Sequence, residues 1–153
     1  MTEDGWVFDE MDPFIVELIR DVPGIAVADD EPAHNRIFSA PTGGSDAEAD
    51  ADWREYIEPG LRELFKSHTD IVAADIATAR QKEDASTLTI PAAHARAWIH
   101  TLNQARLALG ARHGVTEEDT AGRRQHSGEK AFALMQIDFY AMLLSLLLSR
   151  TEL

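Results

Sequence analysis

The chain has no cysteine among its 153 residues. That excludes disulfides, zinc–thiolate centres and thiol nucleophiles together. Positive charge is scarce in the first part. Residues 1–58 hold 16 carboxylates against Arg20, Arg36 and Arg54, whereas residues 59–153 hold 11 acids and 11 bases, so the whole net charge of −13 belongs to the N-terminal part. Such a surface repels phosphate backbones, and no nucleic-acid partner is expected. The opening MTEDGWVFDEMD lacks the basic-then-apolar order of a secretory leader, so a cytoplasmic location is expected. The charge-free run Phe139–Leu148 is about half the span a bilayer needs, and no membrane partner is expected either.

Catalytic signatures are also absent. There is no G-x-G-x-x-G, P-loop, G-x-S-x-G elbow or HExxH. The six histidines (His34, His68, His94, His100, His113, His126) include no pair at i, i+4, the spacing of a helical metal site. The acidic runs Asp29-Asp30-Glu31 and Glu117-Glu118-Asp119 act as acid–base groups only if a pocket desolvates them. No catalytic residue, metal or cofactor is expected, and the chain is not expected to be an enzyme.

What is present reads as one domain over residues 1–153, long enough to close a core unaided. Trp6-Val7-Phe8 and Thr87-Leu88-Thr89-Ile90 are short strand-like runs that could pair. Asp12-Pro13 opens a first helix that Pro23-Gly24 ends. Residues 24–45, punctuated by Pro32, Pro41, Gly43 and Gly44, predict a long irregular acidic loop anchored by Ile37 and Phe38. Ser45-Asp46 starts a second helix, and Glu58-Pro59 a third over 59–82. Pro91 opens a fourth, with a core stripe of Ala92, Ala95, Trp98, Ile99, Leu102, Ala105, Arg106 and Leu109. Gly114 stops it, and Thr116 caps a short acidic turn. A polar loop over 120–128 leads to a last helix, about Glu129–Ser149. Its main stripe is Phe132, Met135, Phe139, Met142, Leu143, Leu146 and Leu147, and a helix so apolar is expected at the centre of the fold. The fold class is all-α: a helical bundle of about five helices with at most one short two-stranded β element.

Asn103, Arg106 and Gly110 lie along one edge of the fourth helix. An arginine at the margin of an apolar stripe needs an acidic or carbonyl partner once buried. Asp138, the acid inside the last helix, offers a structural pair with Arg106. Alternatively Asn103, Arg106 and Arg112 bind a carboxylate, a peptide end or another anion. Both readings stand at this level.

Several pieces together carry a family resemblance: Arg36-Ile37-Phe38, Asp52-Trp53-Arg54, Leu88-Thr89-Ile90 and above all WIHTLNQARLALGARHGVTEED at 98–119. From Ile37 onward the chain resembles the bacterial family of unknown function DUF2017, common in actinobacteria. Phe139 and Tyr140 stand where that family's pattern carries tryptophans. Its genes often neighbour that of the Clp protease adaptor, so the resemblance implies a protein partner, with the Clp system as candidate. The expected role is a protein-interaction or regulatory domain docking through its acidic N-terminal part and the 24–45 loop. The alternative is a small-molecule or anion-binding regulatory domain.

Overall fold

The computed structural model describes residues 5–27, 30–116, 119 and 128–149. The two strand-like runs do pair. β1 (Gly5–Met11) lies antiparallel to β3 (Ala85–Pro91), with Trp6 opposite Ile90, Val7 opposite Thr89 and Phe8 opposite Leu88. Gly5 adopts φ +151, and a Cβ there would strike the carbonyl oxygen of Ile90. A third strand, β2 (Arg80–Lys82), adds to the other side of β3, so the sheet is three-stranded rather than two. All three β2 residues are exposed and none is apolar. Alternation therefore could not reveal it; the turn at Glu83-Asp84, with Glu83 at φ +58, folds it onto Ala85.

Helix α1 (Pro13–Arg20) is capped by the Asp12 carboxylate, which accepts from the Ile15 amide at 2.9 Å. Pro23-Gly24 does not end the helical run. Those residues lie inside a short α2 (Val22–Ala26), where proline occupies the first turn and loses no helical hydrogen bond. A third helix, α3 (Glu31–Ile37), is capped by Asp30 with Pro32 in its first turn. The expected irregular loop 24–45 is thus helical at 24–26 and 31–37: residues that read as breakers are helix starters here. Besides Val27 and Asp30 between those helices, the stretch 38–46 stays irregular. It is pinned by the buried Asp50 of α4 (Ala47–Tyr56), whose carboxylate accepts from the Thr42 amide (3.0 Å), the Thr42 hydroxyl (2.8 Å) and the Gly44 amide (2.8 Å). These bonds, the Thr42 hydroxyl foremost, hold Asp50 below the usual carboxylate pKa.

Helix α5 (Glu58–Ala77) begins as expected at Glu58-Pro59 but stops short of residue 82. The Thr78 hydroxyl takes the Asp75 carbonyl at 2.6 Å, and the chain passes into β2. After a single 3-10 turn (Ala92–His94) comes α6 (Ala95–Arg112), and last α7 (Gly128–Leu148). Gly114 (φ +59) ends α6, with the Val115 amide donating to the Gly110 carbonyl at 2.9 Å. Thr116 and Asp119 exchange the expected capping bonds; the polar loop, Gly128 excepted, lies outside the described residues.

The central rod is α6 rather than the last helix. It packs against α2, α3, α5 and α7. Its small residues Ala95, Ala97, Ala105 and Ala108 are buried along with Trp98, Leu102 and Leu109, so neighbours approach on several sides. Asp75 of α5 locks onto it, accepting from Trp98 Nε1 at 2.8 Å and bonding His94 Nδ1 at 2.8 Å. Helix α7 buries Ala133, Gln136, Ile137, Tyr140, Leu143 and Leu147, while Phe132, Met135, Met142 and Leu146 of the expected stripe are exposed. Apolar side chains on nearly every side gave no face an advantage; the Tyr140 hydroxyl, donating to the Leu18 carbonyl at 2.6 Å, fixes which one turns inward. Among the described residues α7 is also the one helix long and apolar enough to cross a membrane, with a third of its most apolar window buried. The fold is mostly helical with a small antiparallel sheet.

Candidate anion-binding groove

The helical repeat of 3.6 residues puts Asn103, Arg106, Leu107, Gly110 and Ala111 on one face of α6. Beyond the glycine stop, Gly114, Val115 and Thr116 continue that face. Arg36, from the last turn of α3, and Ile137, from α7, close the sides, and together they bound an open groove of about 560 Å³.

Two features set this groove apart. Its lining holds two guanidinium groups and an amide and no carboxylate, on a chain of net charge −13. The Nε of Arg106 is buried without a hydrogen-bond partner, and Arg106 forms no ion pair among the described residues. An arginine desolvated on one edge and unpaired is costly unless something anionic arrives. The second feature is Gly110. A glycine inside a helix costs roughly 1 kcal/mol relative to alanine. Nothing lies within 4 Å of where its Cβ would be, so packing does not demand it. Its missing side chain deepens the groove instead.

The four candidates named from sequence separate. Asn103 and Arg106 share the groove. Arg112 does not: it turns to the other side of α6's end and clasps the N-terminal helices. Its Nε donates to Asp30 at 2.8 Å, and its two terminal nitrogens donate to the carbonyls of Ile25 (2.8 Å) and Val27 (2.7 Å). Burial raises the Asp30 pKa, but the Arg112 bond and the Ala33 amide outweigh it and hold the carboxyl below its usual value. Asp138 is exposed on α7 and lies beyond ion-pairing distance of Arg106, so the Arg106–Asp138 register pair is not formed. The rotation of α7 that buries Tyr140 carries Asp138 outward. Arg36 is the groove residue the chemistry of α6 could not announce; its only sequence signal was its place in the Arg36-Ile37-Phe38 piece.

Other clefts offer less. A second one of about 360 Å³ is lined by Ala26, Val27, Phe38 and Phe65, with Gln104 at its floor. Its cations are already paired, Arg62 with Glu58 and Lys66 with Asp70. Asp119, next to Thr116, is likewise taken, by Lys130 at 3.2 Å. No group of three or more metal-ligating side chains is assembled among the described residues. Part of the acidic surplus is used locally: Asp12, Asp30 and Asp46 cap helices, and Asp50 pins a turn.

Neither a curated protein nor a solved structure matches the chain. A family model does, over residues 7–151, and with nearly the whole chain covered the protein belongs to DUF2017, a family described as a domain of unknown function.

Proposed function

We propose that the protein is a non-catalytic regulatory domain that recognises a carboxylate in the groove between α3 and α6. The observation that carries this reading is the buried, unpartnered Nε of Arg106 beside Arg36 and Asn103, with no acid in the lining. A carboxylate offers four lone-pair sites and accepts from a guanidinium in parallel bonds, which suits two arginines and one amide donor. Nothing in that set supplies a nucleophile or a general base, so binding rather than turnover is its chemistry. The protein partner expected from the family resemblance, with the Clp system as candidate, would present such a group as a chain terminus or an acidic side chain. Arg112, held by Asp30, takes no part in recognition.

The test is a titration followed by NMR, reading the Arg106 side-chain Nε–H resonance. Acetate, glutarate and a short peptide with a free C-terminus are compared with the same peptide amidated. Saturable shifts at Arg106 and Asn103 are expected for the carboxylates, with the amidated peptide weaker. Arg106→Ala should reduce affinity about tenfold or more, since a charge-assisted bond contributes roughly 1.5–3 kcal/mol. Gly110→Leu should block binding while leaving the fold intact, because the space is open. Shifts that stay at Arg112, or none at any site, would remove the proposal.

A further inference from the structure

Helix α7 turns one face to α6 and leaves a second apolar face bare. Phe132, Met135, Phe139, Met142 and Leu146 recur at intervals of 3, 4, 3 and 4 residues. Phe132 is 45 % exposed, Met135 36 %, Met142 50 % and Leu146 46 %, with Phe139 partly buried between them. An alternation of 3 and 4 on a rod of 3.6 residues per turn is the seam geometry for a second helix. A lipid-facing surface has no need of that spacing. It would not carry Asp138 and Ser145 exposed along its flank, and a chain of net charge −13 is repelled by anionic bilayers.

We infer that α7 is a self-association surface on which a second copy of this chain packs through the same stripe, antiparallel. A two-fold axis uses one patch twice, and this patch is self-complementary in that sense. Antiparallel layers place Met135 against Leu146 and Phe139 against Met142, a broad side chain meeting a slender one in each. They bring Asp138 of one copy beside Ser145 of the other and oppose the two helix dipoles. A parallel pair would instead set aromatic on aromatic and align the two Asp138 carboxylates at one level.

The area suits a modest dimer. Taking ~200 Å² for a fully exposed large side chain, the stripe leaves roughly 400 Å² of apolar surface open per copy. With its polar flanks, pairing buries about 1,000 Å² in total, the lower end for a specific interface. The inference does not depend on the carboxylate groove.

Sedimentation of the full chain between about 1 µM and 500 µM tests it. A reversible monomer–dimer equilibrium is expected, with Met142→Lys weakening it at least about tenfold and leaving the circular dichroism unchanged. The absence of cysteine makes the geometry testable as well. Met135→Cys combined with Leu146→Cys should oxidise to a covalent dimer. Met135→Cys alone should not, because an antiparallel pair holds the two sulfurs about 16 Å apart along the axis, beyond disulfide reach. A monomer at every concentration would overturn the proposal, as would efficient cross-linking of Met135→Cys alone. So would uptake of the wild type, but not of Met142→Lys, by phosphatidylglycerol vesicles.

Discussion

Single side chains settle two questions here, what is fixed and what is left unsatisfied. Asp75 is fixed: buried, it receives Trp98 Nε1 and His94 Nδ1 at 2.8 Å each. Removing its carboxylate strands the indole N–H in the core, and a stranded buried donor costs roughly 1–3 kcal/mol. Asp75→Ala should therefore lose about 2–3 kcal/mol in urea unfolding, and a loss below about 0.5 kcal/mol would show that the network does not stabilise the fold. Tyr140→Phe is milder. It forfeits one hydrogen bond to the Leu18 carbonyl, about 1 kcal/mol, and abolishes the phenol that burial pushes well above its ordinary pKa. Arg106 is the unsatisfied one. Its spacing with Asn103 and Gly110 was readable along the chain, but its lack of a partner was not, because Asp138 stood at a credible distance in sequence and only the rotation of α7 separates them.

At the scale of elements, the clasp made by Arg112 joins the end of α6 to α2 and to the cap of α3. Its three acceptors come from residues 82 to 87 positions earlier in the chain. Arg112→Ala should speed amide exchange in α2 and α3 and, because Arg36 rides on α3, weaken carboxylate binding without touching the groove. Unchanged exchange in α3 would refute that coupling. The clasp also has a pH signature. Asp30 is held below its ordinary value of 3.8, so its contribution is present above that pH and is lost as pH falls through its folded value. Between α5 and α6 the rings of His68 and His100 stack at 5.0 Å. Burial first, then the charges of His100 and Arg96, depress the His68 pKa below 6.5. The unfolded chain then takes up a proton that the folded chain resists, so stability should decline as pH drops below about 6.5. His68→Phe should flatten that slope in thermal melts at pH 5–7; an unaltered slope would assign it elsewhere.

For the molecule as a whole, which carries a net charge of −13, added salt acts on the two proposed interactions with opposite sign. Recognition of an anion by two arginines is weakened as ionic strength shortens the range of their attraction. Self-association of two like-charged copies through an apolar stripe is opposed by repulsion, which the same salt screens. Raising sodium chloride from about 50 to 500 mM should therefore loosen carboxylate binding and tighten the dimer. A shift of both in one direction would mean that one of the two surfaces has been misread.

Local signals in the chain were sufficient for helix starts at Asp12-Pro13 and Glu58-Pro59, the Gly114 stop, the β1–β3 pairing and the stripe of α6 from Ala95 onward, because caps, turns and periodicity act over a few residues. Pro91, however, ends β3, and Ala92 lies exposed in the 3-10 turn. Local patterns could not reveal β2, whose residues are all polar, or α2 and α3, whose prolines and acids read equally as loop. Nor could they orient α7: a helix apolar on nearly every side has no preferred face until a distant carbonyl, Leu18, offers Tyr140 a partner. That rotation is a tertiary decision. It takes Asp138 away from Arg106, leaves a groove with unpaired positive charge, and turns a heptad seam out to solvent.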